Sequence, residues 1–225
     1  MPVKASVMAH KAIIAGASGL IGSSLLDILL QQPQYDEVLI LVRKELDINH
    51  HKLIQLVINF DELEKHAAAI TGHAIFSCLG TTRGETPDNK QHRKIDHDYP
   101  LLLAQLAKQN GVKHFHLISA VGANRLSTNT YLKLKGEVEH DIELVGLSVL
   151  HIYEPAMLIG KRKKPRLAEQ IFGGIFKIID PLLIGSLKKY QSVKAETLAY
   201  AMFKKSLDDT EGTFIHTTDK IKKIK

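Results

Sequence analysis

With 225 residues, 44% of them hydrophobic and 24% charged, the chain has the size and composition of one soluble globular domain. Its one cysteine excludes an internal disulfide. Residues 1–11 are too short and polar to resemble a signal peptide, and no apolar run is long enough to cross a membrane, so we expect a cytoplasmic location without stable membrane insertion. The net charge of +6 is spread among 24 acidic residues, and the basic run over 161–166 is typical of a solvated loop, so we expect no nucleic-acid partner.

The first pattern in chain order is a strand, a glycine turn and a helix. A β-branched run over 12–15 leads into three glycines at three-residue spacing, and an apolar pattern of helical period follows over 23–30. In a dinucleotide-binding loop, such glycines allow a tight turn, close approach to the pyrophosphate and helix packing. Glycines also serve turn geometry alone, but the flanking strand and helix favour nucleotide binding. The residues expected to contact the cofactor here are Gly16, Ala17, Ser18, Gly19, Leu20, Ile21 and Gly22.

Short apolar strands then alternate with helical patterns. Strands are predicted over 37–42, 53–58, 73–78, 114–118, 147–152 and 213–216, and helices over 62–70, 99–109, 129–144 and 193–207. This alternation predicts an α/β fold with a doubly wound parallel sheet, the Rossmann fold, in which ligands bind at the carboxyl ends of the strands. Residues at such ends are Gly16, Arg43, Asn59, Gly80 and Ser119.

We expect one domain over 1–225, with a less regular part over 155–225 that covers the substrate side. The apolar segment 167–179 contains two adjacent glycines and predicts either a mobile cover, which would imply an apolar substrate, or an ordinary core or dimer helix. The tail over 220–225 is expected to be mobile, and Asp61 is a candidate cap for the predicted helix over 62–70. The protein is expected to be a monomer or a homodimer.

The end of the second strand indicates which dinucleotide binds. Arg43 and Lys44 stand where an acidic residue would favour the ribose 2′-hydroxyl of NAD(H). A guanidinium grips a phosphate with paired donors, so NADP(H) is predicted over NAD(H). Asn59 and Phe60, at the next strand end, are expected near the adenine.

A second constellation lies in the middle of the chain. Tyr131 and Lys135 are four residues apart on a predicted helix, so they share one face, and an ammonium beside a phenol favours the phenolate. Ser119 ends the fifth strand, where its hydroxyl could bond a substrate carbonyl. Taken singly, each of these residues is also typical of a surface helix or a strand-end turn.

Together these motifs resemble the short-chain dehydrogenase/reductases, and within them the atypical branch of the Tat-interacting tumour-suppressor oxidoreductases and their bacterial relatives. The superfamily motifs are Gly16-x-x-Gly19-x-x-Gly22, Ser119-x-x-Gly122 and Tyr131-x-x-x-Lys135. The closer match rests on Cys78-Leu79-Gly80-Thr81-Thr82-Arg83-Gly84, Lys113-His114-Phe115 and Tyr131-x-x-x-Lys135-Gly136-Glu137-Val138-Glu139. The pattern covers residues 10–155 and is looser beyond them.

The resemblance implies roles for these residues. Tyr131 would be the general acid/base, Lys135 would hold the nicotinamide ribose and tune the phenol, and Ser119 would orient the substrate carbonyl. Further cofactor contacts are implied at Cys78, Leu79, Gly80, Thr81, Tyr131, Lys135 and Pro155. The chain departs from the family in two places: Ala120 replaces a second serine, and the Cys78 turn leaves the proton-relay asparagine without a counterpart. The thiol of Cys78 itself is interpreted as a small buried hydrophobic group rather than a reactive one.

The sequence is therefore compatible with two functions. The first is an NADP(H)-dependent oxidoreductase that exchanges hydride with a carbonyl or alcohol. The second is an NADPH-binding regulatory or sensor protein that acts through a protein partner without turnover. A nucleotide-sugar epimerase or dehydratase is disfavoured by the short C-terminal portion, and no metal is assigned because the 12 histidines lack ligand spacing.

Overall fold

A parallel sheet of seven strands organises the protein. The computed structural model describes residues 10–82, 84–160 and 180–225. The strands are β1 (His10–Ala15), β2 (Tyr35–Val42), β3 (Leu53–Val57), β4 (Ala74–Ser77), β5 (His114–Ile118), β6 (Val149–Glu154) and β9 (Gly212–Thr217), and a separate parallel pair joins β7 (Met157–Ile159) to β8 (Ser192–Lys194). The order of the main sheet is β3-β2-β1-β4-β5-β6-β9, so the doubly wound fold predicted from the sequence is confirmed.

Helices cover both faces of this sheet. They are α1 (Leu20–Gln31), α2 (Asn89–Arg93), α3 (Tyr99–Gln109), α4 (Thr130–Leu144), α5 (Ala195–Lys205) and α6 (Thr218–Ile221), with 3-10 helices at Phe60–Ala69, Asp180–Leu182 and Gly185–Tyr190. A π-helical turn at Lys94–Asp98 joins α2 to α3. Asn59, rather than Asp61, caps the Phe60–Ala69 helix, because its side chain accepts the backbone N–H of Asp61 at 3.1 Å.

The alternation of side chains along each strand divides the core into two layers. In β1, Ala12 and Ile14 face the layer that contains α1 and α5, whereas Ile13 and Ala15 face the layer of α3 and α4. Both sets are fully buried, so the strand reads as a continuous apolar run, as expected of a parallel strand. Burial of each large aliphatic side chain contributes about 1.5–3 kcal/mol, and the paired layers hold the strand ends in fixed positions.

A row of histidine rings crosses the α1 and α5 face of the sheet. The histidine row comprises His10, His73, His114, His116, His151 and His216, with successive ring centroids 3.7 to 6.3 Å apart. His151 Nδ1 and His216 Nε2 share a hydrogen bond of 3.0 Å. Burial lowers the pKa of His151 to about 3 and those of His73 and His216 to about 4, so these rings are neutral near pH 7.

The C-terminal part is integrated into the sheet. Strand β9 pairs with β6 in parallel register from Val149 to Glu154, and α5 packs on α1. Ile221 in α6 is fully buried, so the predicted mobility of 220–225 is wrong for the start of that tail. The expectations for 161–166 and for the cover over 167–179 lie outside the described residues. No helix in the described ranges has the length and apolar character needed to span a bilayer.

Candidate functional site

A cleft of about 460 Å³ opens at the carboxyl ends of β1, β2 and β4. The strand order reverses between β1 and β4, which is where doubly wound sheets bind their ligands. Ten residues predicted as cofactor contacts line the cleft: Gly16, Ser18, Gly19, Arg43, Asn59, Phe60, Cys78, Leu79, Gly80 and Thr81.

The first and third glycines of the turn are required by close backbone approaches. Gly16 has φ +91°, and a Cβ there would lie 2.6 Å from the carbonyl oxygen of Cys78. A Cβ on Gly22 would lie 2.2 Å from the carbonyl oxygen of Gly16. The predicted roles in turn geometry and in helix packing are therefore borne out for these two residues.

The second glycine leaves the start of α1 open. Gly19 is the N-cap of α1, and because it has no side chain, no side-chain hydrogen bond covers the first turn of the helix. The free N–H groups and the helix dipole make this end of α1 a place for a phosphate group. The other predicted contacts in this region are buried beneath the turn and support its backbone: Ala17, Leu20, Ile21 and Gly22.

Basic and polar groups line the part of the cleft near the ends of β2 and β3. Arg43 is exposed at the end of β2 and, among the residues that the structure describes, forms no ion pair. Lys44 is also exposed but does not line the cleft. Phe60 is buried with its ring 5.5 Å from that of Tyr99, which forms an apolar wall beside Asn59.

A buried ion pair stands behind the loop that follows β4. Lys135 Nζ lies 2.8 Å from Asp96 Oδ1, and both side chains are almost fully buried. Asp96 Oδ2 also accepts the backbone N–H of Thr81 at 2.9 Å, which ties the pair to the cleft. Burial opposes the charge of Lys135, but Asp96 and the neighbouring Tyr131 outweigh it, so the pKa of Lys135 is raised and the ammonium stays charged.

Ser119 follows β5 and lies beside α4, one helical turn beyond Lys135. Its backbone N–H donates to the carbonyl of Tyr153 at 2.7 Å, which fixes it at the end of β5. Its hydroxyl donates to Glu139, a half-buried carboxyl one helical turn beyond Lys135. Burial raises the pKa of Glu139 to about 7, with a further contribution from Glu154.

The crossing of α4 by the loop after β5 depends on Gly136. A Cβ on Gly136 would lie 2.2 Å from the backbone nitrogen of Arg125, so only glycine lets this loop pass so close to the helix. The backbone N–H of Asn124 donates to the carbonyl of Leu132 at 3.0 Å and holds the crossing. This approach brings Ser119 beside the face of α4 that carries Lys135.

Tyr131 and Pro155 are not part of the cleft wall. Tyr131 is 40% exposed and borders a second cleft, of about 240 Å³, between α2 and α4. It lies close enough to Lys135 to favour its charge. Pro155 is buried after β6, where its carbonyl accepts the N–H of Val121 at 3.1 Å. Thus Lys135 and Glu139 of α4 lie together with Ser119 behind the first cleft. The Tyr131 ring lies apart from them, at the rim of the second cleft.

The structure adds residues to which the sequence motifs assign no role. Asp96 and Glu139 are the two charged ones behind the site, and additional lining residues of the cleft are Leu41, Val42, Asp61, Glu85, Thr86, Gln91, Ile95 and Tyr99. Glu139 could have been found from the sequence, since it continues the four-residue spacing of Tyr131 and Lys135 on one helix face. Burial raises the pKa of Cys78 to about 12, so its thiol stays protonated at the cleft wall. In the described part of the chain, no three metal-ligating side chains come together.

The doubly wound sheet, the glycine turn and the open end of α1 define a dinucleotide-binding protein of the Rossmann type. Comparison with known proteins agrees with this class. The chain belongs to the NAD(P)H-binding family, whose model matches residues 16–167.

Its relatives confirm the resemblance predicted from the motifs. It is 37% identical to protein HTATIP2 of Rattus norvegicus over 177 residues, which cover 75% of this chain and 73% of the relative. It is 31% identical to the mitochondrial protein FMP52 of Coccidioides immitis, with 92% and 89% of the two chains covered. Because that relative is named as mitochondrial, the cytoplasmic location of this chain stays a prediction.

Solved structures show the same fold at low sequence identity. The enzyme WbmH of Bordetella bronchiseptica, solved with NAD+, has a TM-score of 0.70 at 16% identity, covering 93% of this chain and 75% of the other. The UDP-glucose 4-epimerase of Thermotoga maritima has a TM-score of 0.68 at 16% identity, covering 95% and 80%. At this identity the likeness concerns the fold.

Proposed function

We propose that the protein is an NADP(H)-dependent oxidoreductase that exchanges hydride with a carbonyl or alcohol substrate. The observation that carries the proposal is the conjunction of two sites: a glycine-lined dinucleotide cleft, and a charged Lys135 directly behind its wall with Ser119 and Tyr131 nearby. Asp96 pairs with Lys135 and also accepts the backbone N–H of Thr81 in the cleft wall, so the ammonium is tied to the cleft in which the cofactor would bind.

The cleft fits a dinucleotide by its shape and its donors. Gly16, Gly19 and the first turn of α1 would hold the pyrophosphate, and Asn59 and Phe60 would contact the adenine. When bound, the cofactor supplies or accepts hydride at the nicotinamide ring. The loop Cys78 to Thr81 would position that half of the cofactor, since it lies at the end of β4 next to the switch in strand order.

Arg43 is the residue that would select NADP(H). Its exposed guanidinium stands at the end of β2 without an ion pair in the described ranges, so its donors are available for a 2′-phosphate. A charged hydrogen bond contributes about 1.5–3 kcal/mol, which corresponds to roughly 10- to 100-fold in affinity.

Calorimetric titration of NADPH and NADH tests this selection. Arg43→Ala should weaken NADPH at least about tenfold and leave NADH unchanged, because the lost contact is specific to the extra phosphate. Lys44→Ala is the matched control, since Lys44 is a neighbouring exposed cation outside the cleft wall, and it should change NADPH affinity far less. Equal affinities for the two cofactors in the unmodified protein would contradict the assignment.

The chemical roles follow from the groups on α4. Tyr131 would give a proton to the substrate oxygen during reduction and take it back during oxidation. Lys135 has three N–H donors, of which Asp96 takes one at 2.8 Å, leaving two for the ribose and the phenol. Ser119 would hold the substrate oxygen beside Tyr131. The substrate class expected for this site is a carbonyl compound or the corresponding alcohol.

A second candidate is an NADPH-binding regulatory protein that acts through a partner. The observation in its favour is that the Tyr131 ring is 40% exposed at the rim rather than in the cofactor cleft. Tyr131→Phe separates the two functions. It should lower turnover with a panel of aldehydes, ketones and quinones about 10²-fold for an enzyme, without changing cofactor affinity. A regulator would be unaffected by this change and would lose partner binding on Gly16→Ala.

A further inference from the structure

The hydroxyl of Ser119 is already engaged by a residue that the proposed mechanism does not use. Ser119 is 4% exposed, and its O–H donates to the carboxyl of Glu139. A serine hydroxyl has one proton to donate. While that proton points to an ionised Glu139, Ser119 can offer a substrate only its lone pairs, which accept from an alcohol but cannot hold a carbonyl oxygen.

The surroundings of Glu139 make its protonation state variable near neutrality. It faces Lys135 and Glu143 from α4 and Glu154 from β6, and Glu154 in turn lies near Lys189 and Lys220. Burial and the two carboxylates disfavour the ionised form, while Ser119 and Lys135 favour it. The balance raises the pKa of Glu139 to about 7.

We propose that Glu139 is a positioning residue that sets the direction of the Ser119 hydroxyl and thereby its preference for a carbonyl or an alcohol substrate. The inference rests on the proposed function, because it concerns the substrate oxygen of that reaction. With Glu139 ionised, Ser119 donates to Glu139 and accepts from an alcohol. With Glu139 protonated, the acid donates to Ser119 Oγ, and the Ser119 proton is free for a carbonyl oxygen.

The proton balance of this switch is simple. One proton is taken from solvent when Glu139 becomes neutral, and no covalent bond to carbon changes. Binding of a carbonyl therefore favours uptake of that proton, and binding of an alcohol favours its release. Carbonyl reduction should consequently bind its substrate best below about pH 7, and alcohol oxidation should do so above it.

A titration that needs no substrate tests the hydrogen bond itself. In protein labelled with ¹³C at the glutamate carboxyls, the Glu139 signal is the one that disappears in Glu139→Gln. In the unmodified protein this signal should titrate near about pH 7. Ser119→Ala should move it upward, because the serine donor stabilises the carboxylate. Glu143→Gln, an exposed change on the same helix, should move it only slightly and downward. Titration below about pH 5.5, or no response to Ser119→Ala, would overturn the inference.

Kinetics with NADPH and a carbonyl from the panel test the consequence. The KM of the unmodified protein should rise about fivefold from about pH 6 to about pH 8.5, the usual scale of one neutral hydrogen bond. Glu139→Gln should keep the lower KM at both pH values, because its amide donates permanently to Ser119. A KM that rises equally in both proteins overturns the inference while leaving the proposed function intact. Absence of turnover at every pH overturns the proposed function, and the substrate preference with it.

Discussion

Acidification from about pH 7 to about pH 5 should destabilise the protein through the histidine row. Burial lowers the pKa of His151 to about 3 and that of His216 to about 4, whereas an unfolded histidine titrates near about 6.5. Between these values the unfolded chain binds more protons than the native one. Stability therefore rises with pH in this window and is lost as the pH falls below the unfolded pKa.

The linkage relation gives the magnitude. At about pH 5 each of these two histidines lowers the free energy of unfolding by about 2 kcal/mol, or at most about 4 kcal/mol together, since their shared hydrogen bond couples them. Glu139 works in the opposite direction. Its pKa is raised to about 7, so the cost of keeping it ionised falls by about 2 kcal/mol over the same change. A comparison of variants is needed to isolate the histidine contribution.

Urea unfolding of His151→Phe at the two pH values provides that comparison. The phenyl ring keeps an aromatic group between His116 and Phe214, whose centroids lie 4.9 and 5.1 Å from that of His151, but it cannot take up a proton. The loss of stability on acidification should be smaller than in the unmodified protein by about 2 kcal/mol. His51→Phe, an exposed control, should leave the loss unchanged. The same loss in His151→Phe and in the unmodified protein would refute the reasoning.

Three further predictions concern the site and its support. Gly22→Ala should weaken NADPH binding more than about tenfold in a calorimetric titration, since its Cβ would lie 2.2 Å from the Gly16 carbonyl oxygen, whereas Ser23→Ala should not; equal affinities would contradict the packing argument. Asp96→Asn should lower the free energy of unfolding in urea by about 3 kcal/mol, because it leaves the Lys135 ammonium buried without its carboxylate, and a loss below about 1 kcal/mol would show that water solvates it. Tyr35→Phe should cost about 1 kcal/mol in the same assay through loss of its 2.6 Å hydrogen bond to Ser206, and no loss would mean that this bond contributes nothing.

The sequence was sufficient for the parts of the site that local patterns determine. Apolar runs identify the strands, and parallel strands bring their carboxyl ends to one edge of the sheet. The sequence alone therefore predicts Gly16, Asn59 and Gly80 at one edge, where all three line the cleft. The turn role of Gly16 and the packing role of Gly22 also follow from the sequence, because the strand-turn-helix context leaves few backbone geometries open.

The rest depended on contacts between distant segments. Asp96 lies in a π-helical turn within a polar stretch that has no clear period, and its pairing with Lys135 arises only when this turn packs on α4. Glu139 is four residues from Lys135, a spacing typical of one helix face, but its partner Ser119 comes from the end of β5. Likewise, the alternation of His114 and His116 indicates one face, while the histidine row requires the order of five strands.

Transfer of deuterium from NADPH labelled at the transferable C4 position tests the central claim most directly. Mass spectrometry of the product should find the label on the former carbonyl carbon, and Tyr131→Phe should form this product about 10²-fold more slowly with cofactor affinity unchanged. Lys44→Ala, which alters a cation outside the cleft wall, should form it at the unmodified rate. Label transfer by Tyr131→Phe at the rate of the unmodified protein would contradict the account.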